Sequence, residues 1–434
     1  MKGGNNMLIK PIKRIRRSIT VPGDKSISHR AIMLSSIAEG ESKIHNFLMG
    51  DDCLNTIECF RKMQVPIEIA GNEIRVKGIG LNGLKKPDTI LDVGNSGTTI
   101  RLMCGILAGQ NFDCKITGDD SIQNRPMDRI IIPLRQMGSI IDSVKKEGYA
   151  PLKIQGSKLT AINYNMPVAS AQVKSAILLA SIYADGTTSI LEIQKSRDHT
   201  ERMLNYMGAN IRQDGLSIFS NPPDRLYARE IYVPGDISSA AFFLVLGAIV
   251  RDAEILIENV GLNSTRTGII DVLKLMGANI KISNKRILNG EPVGDIYITD
   301  SDLKGIEIGG NIIPRLIDEI PIIAVVAAFA EGVTIIRNAE ELKVKESNRI
   351  KAIVTELKKI GAHIEETDDG MIVYGKKSLR GGTVESYNDH RIAMALSIAG
   401  LLSEEGVVID NPYCVDISFP NFFDILDRMM KNGR

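Results

Sequence analysis

The chain has 434 residues, 44% hydrophobic and 24% charged, with a formal net charge of +1 at pH 7. That length predicts more than one domain, and the near-neutral balance excludes a general binder of nucleic acid or of membrane surfaces. Five cysteines (Cys53, Cys59, Cys104, Cys114, Cys414) show no C-x-x-C or metal-ligand spacing, and no secretory signal follows the basic start, so free thiols in a reducing cytoplasm are expected.

Residues 8–15 predict a first strand. Pro22-Gly23 ends an extended segment, and Asp24, Ser26 and Ser28 offer caps for a helix whose apolar stripe is Ile32, Met33, Leu34 and Ile37. Lys25, Ser26 and Arg30 at that helix start suit a phosphate or carboxylate, because free N–H groups and partial positive charge gather there. A helix is expected over 57–63. Gly94-Asn95-Ser96-Gly97-Thr98-Thr99-Ile100-Arg101 is a glycine-bounded turn into another helix, and Gly97 admits close approach of a ligand. Arg125-Pro126-Met127 precedes a helix over 130–137. Ser170-Ala171-Gln172-Val173-Lys174-Ser175 starts the next, followed by a strand over 187–193 and a helix over 203–207. Beyond Pro234, a helix start near Ser238 leads into the apolar run 240–250, and a helix follows over 269–276. Asp318 begins or caps the helix containing the run 320–330; both runs are short of the ~18 residues that span a bilayer. Lys345 and Arg349 stand one turn apart around Glu346-Ser347-Asn348, before a helix over 350–360. Asn388-Asp389-His390-Arg391 opens the last long apolar helix, and a helix over 422–430 closes the chain.

An internal repeat orders these elements. Met-Gly-Ala-Asn-Ile occurs at 207–211 and again at 276–280, with looser copies at 63–67, 137–140 and 360–364. Each copy ends an amphipathic helix and opens a strand, and the glycine that follows the helix gives it a C-cap with positive φ in the copies that carry one. The spacing is roughly 70 residues. Six units of helix–strand–helix–strand–strand follow, three in each of two lobes. The first lobe is expected over 21–233, and the second over 234–434 together with 1–20.

If the units share a fold, the helix starts of both lobes face one strongly positive cleft. Lys25, Arg30, Arg125, Arg197, Lys345, Arg349 and Arg391 supply its cations, and Asp318 and Glu346 are its acid/base candidates. Small polyanions suit such a place. No G-x-x-x-x-G-K-[ST] or G-x-G-x-x-G motif and no metal-ligand cluster is present in the sequence, so neither cofactor nor metal is expected.

Residues 22–30, Gly94 to Thr98, Arg125 to Met127, Ser170 to Gln172, Val344 to Ser347 and Asn388 to Arg391 together resemble the EPSP synthases (3-phosphoshikimate 1-carboxyvinyltransferases), in that family's order. The resemblance covers nearly the whole chain. It implies a two-lobed inverse α/β barrel of six repeats; nothing in the sequence calls for more than a monomer. It also implies transfer of the enolpyruvyl group of phosphoenolpyruvate to shikimate 3-phosphate. In that likeness Lys25, Ser26, Arg30, Ser170, Gln172, Arg197, Asp318 and Lys345 match the shikimate 3-phosphate side. Lys25, Gly97, Arg125, Gln172, Arg349 and Arg391 match the phosphoenolpyruvate side. Asp318 matches the base, Glu346 the proton donor to carbon, and Lys25 assists the leaving phosphate. Glyphosate, a mimic of the donor's anions, is expected to enter past Gly97.

Some positions depart from the family's pattern. Ala171 stands where many members have a second phosphate-binding serine, Asn348 replaces a common Asp, and Ile417 replaces a lysine that some members use for the donor. The related UDP-N-acetylglucosamine enolpyruvyl transferases would need a cysteine in the loop before Arg125, and residues 119–124 read Asp-Asp-Ser-Ile-Gln-Asn.

Overall fold

Among the described residues six helices are apolar on nearly every side: Lys25–Ser36, Gly97–Ala108, Ala171–Ser181, Ile237–Ile249, Ile320–Phe329 and His390–Leu402. Such a helix has no face to offer water and must be enclosed. Ile237 to Ala248 are accordingly all buried, and each large apolar side chain so enclosed contributes about 1.5–3 kcal/mol. In the computed structural model residues 6–376 and 378–431 are described. Met1 to Asn5, Lys377 and Asn432 to Arg434, which the expected second lobe includes, lie outside the described residues.

Amphipathic helices alternate with these along the chain: Asp51–Lys62, Asp128–Gln136, His199–Tyr206, Gly268–Leu275, Arg349–Lys359 and Phe422–Lys431. The first begins six residues before its expected start of 57, because Asp51 and Asp52 favour the positive end of its dipole. The repeated turn has the left-handed backbone its glycine predicts, with φ of 89°, 100°, 101° and 99° at Gly138, Gly208, Gly277 and Gly361. In the copy without glycine, Gln64 takes φ of 66°.

Among the described residues the strands form six small sheets. A strand that follows an apolar helix lies at the centre, parallel to one neighbour and antiparallel to the other. Cys114–Thr117 runs parallel to Leu91–Asp92 and antiparallel to Leu152–Gln155, and Ile140–Ser143 edges the sheet. Partners are exchanged in two sheets. Arg16–Thr20, just before the Lys25 helix, pairs with Glu254–Gly261, while Glu230–Tyr232 pairs with Glu39–His45. The single strand expected over 8–15 is instead Met7–Ile9, paired with Val407–Ile409. Pro11, which has no N–H for a ladder, lies in the irregular stretch that follows.

The chain forms two compact units. One is Met1–Pro22, Pro234–Arg286 and Pro292–Arg434; the other is Gly23–Val233 with Ile287–Glu291. Each holds three of the sheets and three of the apolar helices. Ile287–Glu291 belongs to the Gly23–Val233 unit through the His199 helix: Glu291 Oε1 is 2.7 Å from His199 Nδ1, and Arg202 NH1 donates to the Gly290 carbonyl at 2.8 Å. No helix among the described residues is long and apolar enough to cross a membrane.

Candidate active site

In the Gly23–Val233 unit, Asp24 caps the first apolar helix by accepting from the Ile27 N–H at 2.9 Å. Ser28 does not cap; its hydroxyl accepts from the Leu48 N–H at 3.1 Å. Lys25 forms an ion pair with the buried Asp52. Arg30 is buried, and all three of its nitrogens are directed: Nε to Thr200 Oγ1 at 2.7 Å, NH1 to the Ser26 carbonyl at 2.9 Å, and NH2 to Ser175 Oγ at 2.8 Å. Burial lowers its pKa to about 10, Glu201 and Asp24 opposing the shift and Arg197 adding to it. It therefore stays charged at pH 7 and lies within electrostatic reach of Arg197.

The segment carrying Arg197 is held by an ion cluster. Glu192 accepts from the Ser196 N–H at 3.1 Å and from its hydroxyl, and Lys174 Nζ reaches the Ser196 carbonyl at 3.3 Å. Lys174 also pairs with Glu192 at 3.1 Å and Glu201 at 2.8 Å. Burial works against the lysine's charge, but Glu201 and Glu192 outweigh it and raise its pKa.

The Gly97 helix is capped by Ser96, which accepts from the Thr99 N–H at 3.1 Å. Hydroxyls join this helix start to the first helix. His29 Nδ1 is 2.8 Å from Thr56 Oγ1, Thr56 is 2.8 Å from Thr99 Oγ1, and Thr99 donates to Ser96 at 2.6 Å. Burial, then Lys25 and Arg30, hold His29 well below its ordinary pKa, so the ring is neutral. Arg125 NH2 donates to Asn95 Oδ1 at 3.1 Å and Ser121 Oγ at 2.9 Å. A Cβ at Gly97 would stand 3.0 Å from Arg125 NH1 and 3.2 Å from Arg101 NH1. Arg101 also donates to Gln172 Oε1, and Gln172 Nε2 to Thr98 Oγ1 at 3.3 Å. Gly97, Arg125 and Gln172 are thus one cluster. Ser170 caps the Gln172 helix, accepting from Val173 at 3.4 Å.

In the other unit Arg349 is the centre. Its Nε donates to Asp389 Oδ2 at 2.8 Å, its NH2 to Glu346 Oε2 at 2.6 Å, and its NH1 reaches Asp318 Oδ1 at 3.3 Å. Burial opposes its charge, but Asp389, Glu346 and Asp318 together outweigh burial and raise the pKa. One guanidinium therefore links both acid/base candidates. Asp318 does not cap the following helix; it lies in the 3-10 turn Ile317–Glu319 and its carboxylate is directed at Arg349. Asp389, not Asn388, caps the last apolar helix, accepting from Arg391 N–H at 3.0 Å, and also binds the Ser347 hydroxyl at 2.9 Å. Tyr387 and Asn388 before it are both left-handed, at φ of 55° and 53°. Lys345 pairs with Glu341 at 2.9 Å. Arg391 is 8% exposed, and its Nε has no hydrogen-bond partner among the described residues.

Lys25, Lys345 and Arg349 each have carboxylate partners, which lower the cost of holding cations at low exposure. The sequence reading assigned no role to Arg101, Thr200, Ser175 or Asp52. Arg101 carried a signal, a charge inside an otherwise apolar helix. Thr200 and Ser175 carried none, because their partner Arg30 is 170 and 145 residues away. Among the described residues no His/Cys/Asp/Glu cluster could hold a metal ion.

Residues 9–426 match the family described as EPSP synthase (3-phosphoshikimate 1-carboxyvinyltransferase). A 3-phosphoshikimate 1-carboxyvinyltransferase of Thermoanaerobacter sp. (strain X514) is 55% identical over 421 residues, covering 97% of this chain and 99% of that protein. One of Bacillus cereus (strain G9842) is 55% identical over 424 residues, covering 98% and 99%. A solved structure of EPSP synthase from Acinetobacter baumannii is similar with a TM-score of 0.88 at 44% identity, covering 98% of this chain and 97% of that one.

Proposed function

The chain belongs to the EPSP synthase (3-phosphoshikimate 1-carboxyvinyltransferase) family, and from that premise we propose how its residues divide the reaction. The reaction transfers the enolpyruvyl group of phosphoenolpyruvate to the 5-hydroxyl of shikimate 3-phosphate and releases phosphate, in the shikimate pathway to chorismate and the aromatic amino acids. In this reading the fold is the family's inverse α/β barrel in two lobes of three repeats.

Asp318 takes the proton of the 5-hydroxyl as its oxygen attacks C2 of phosphoenolpyruvate. Glu346 gives a proton to the methylene carbon, which becomes a methyl group. In the second step Glu346 removes a methyl proton and the double bond reforms. The C–O bond to phosphate breaks, Asp318 returns its proton to the leaving phosphate, and Lys25 supports the remaining charge on it. Lys25, Ser26, Arg30, Ser170, Gln172, Arg197 and Lys345 hold shikimate 3-phosphate. Gly97, Arg125, Gln172, Arg349 and Arg391 hold the donor. The observation that carries the reading is Arg349, whose NH1 and NH2 lie 3.3 Å from Asp318 and 2.6 Å from Glu346. A base for the attacking oxygen and an acid for the methylene carbon, the two atoms flanking C2, are thereby oriented by one rigid group. The protein works as a monomer in the cytoplasm in this reading, and sedimentation of a species near 47.5 kDa checks the first point.

Phosphate release with both substrates tests the roles. Asp318→Asn and Glu346→Gln lose about 10²–10⁴-fold in kcat while calorimetry shows shikimate 3-phosphate still bound. Near-wild-type turnover by Asp318→Asn rules out its role as base. Arg125→Ala instead raises the phosphoenolpyruvate KM.

A further inference from the structure

We propose that Arg101 is a positioning residue for the donor substrate, fixing the Gln172 amide so that its N–H end and not its oxygen is offered to an anion. The proposal rests on the assignment of Gln172 to phosphoenolpyruvate made above. A glutamine amide has a donating and an accepting end of nearly the same shape, and only the donating end suits phosphate or carboxylate. Left to itself the amide turns either way. Guanidinium carries donors only, so the end that faces Arg101 must be the oxygen, and NH1 of Arg101 indeed donates to Oε1. Gln172 Nε2 then lies on the other side, where one of its two N–H bonds reaches Thr98 Oγ1 at 3.3 Å. The second N–H is left for a ligand.

The same guanidinium belongs to the wall at Gly97. Its NH1 would be 3.2 Å from a Cβ on that residue, beside Arg125 NH1 at 3.0 Å. Arg101 is 6% exposed and sits one turn into the Gly97–Ala108 helix, so it has little rotamer freedom with which to leave Gln172. It acts through Gln172, and its effect disappears when Gln172 does.

A double-mutant cycle in steady-state kinetics tests this. Arg101→Met alone raises the phosphoenolpyruvate KM about tenfold, the size of one net hydrogen bond, and leaves the shikimate 3-phosphate KM less affected. Gln172→Ala raises the phosphoenolpyruvate KM similarly. Adding Arg101→Met to Gln172→Ala then changes the KM little further. If the two effects multiply instead, Arg101 works independently of Gln172 and the proposal fails, while the site assignment stands. If Gln172→Ala leaves the phosphoenolpyruvate KM unchanged, the assignment of Gln172 fails and takes the proposal with it. Arg101→Lys provides the same cycle should the methionine variant not fold, because it keeps the charge and loses the planar fork that orients an amide.

Discussion

Arg349 would be expensive to bury alone, since an uncompensated interior charge costs several kcal/mol. Three carboxylates offset that cost, and the one with no proposed chemical role, Asp389, supplies a short contact to Nε, a second to NH2 at 3.3 Å and the helix cap. Asp389→Ala should therefore lower unfolding free energy by about 3–5 kcal/mol, measured by urea denaturation, and depress turnover by releasing Arg349 from its alignment with Asp318 and Glu346. Gly97 illustrates the opposite case, a residue whose side chain is absent for the sake of its neighbours. A methyl there would stand 3.0 Å from Arg125 NH1 and 3.2 Å from Arg101 NH1, side-chain ends and not backbone, and Arg101 is tied to Gln172, so Arg125 is the one that shifts. Gly97→Ala should keep the melting temperature of the wild type but raise the phosphoenolpyruvate KM several-fold through displaced Arg125. Glyphosate inhibition should weaken more than donor binding, because the longer ligand has less room to adjust; equal inhibition constants in both proteins would remove Gly97 from the site wall.

Helix packing sets how closely the site elements approach. The Gly97–Ala108 and Ala171–Ser181 helices touch through backbone, where a Cβ at Gly105 would stand 2.2 Å from the Ala176 carbonyl oxygen. That contact puts Arg101 within reach of Gln172. Gly105→Ala must push the helices apart, costing about 1–3 kcal/mol and lengthening the Arg101–Gln172 bond. The expected signature is a lower melting temperature together with a raised phosphoenolpyruvate KM. A stability loss with unchanged KM would show that the amide does not depend on this spacing. The repeat made these helices legible in the sequence, as glycine turns and apolar runs recur with it. The sequence places residues 1–20 with 234–434, but it does not reveal the partner strands of Arg16–Thr20 and Glu230–Tyr232, because strand pairing depends on which sheet edge the chain meets and leaves no mark in local composition.

For the whole molecule, pH dependence follows from Glu291. Burial pushes its pKa up, but His199 and Arg202 outweigh burial and leave it below the ordinary 4.5. A carboxylate depressed in the folded state stabilises above its unfolded pKa and loses that contribution as pH falls through the folded value. Glu291→Gln should cost about 1–3 kcal/mol at pH 7, and the difference from wild type should shrink below about pH 4, read from thermal melts at several pH values. A constant difference across that range would contradict a Glu291 carboxyl held below its ordinary pKa in the folded state. Sequence alone determined the six-unit α/β pattern, the apolar interior and the identity of most proposed site residues. These depend on local rules, namely helix starts, glycine turns and periodic apolar side chains, and the motifs Pro22 to Arg30 and Asn388 to Arg391 carry them intact. Only the tertiary structure decided that Arg349 joins Asp318 to Glu346, that Asp52 balances Lys25, and that Arg101 faces Gln172. These partners are tens of residues apart in most cases, and which charge meets which depends on packing distance and shared burial, quantities that arise only when the chain has closed on itself.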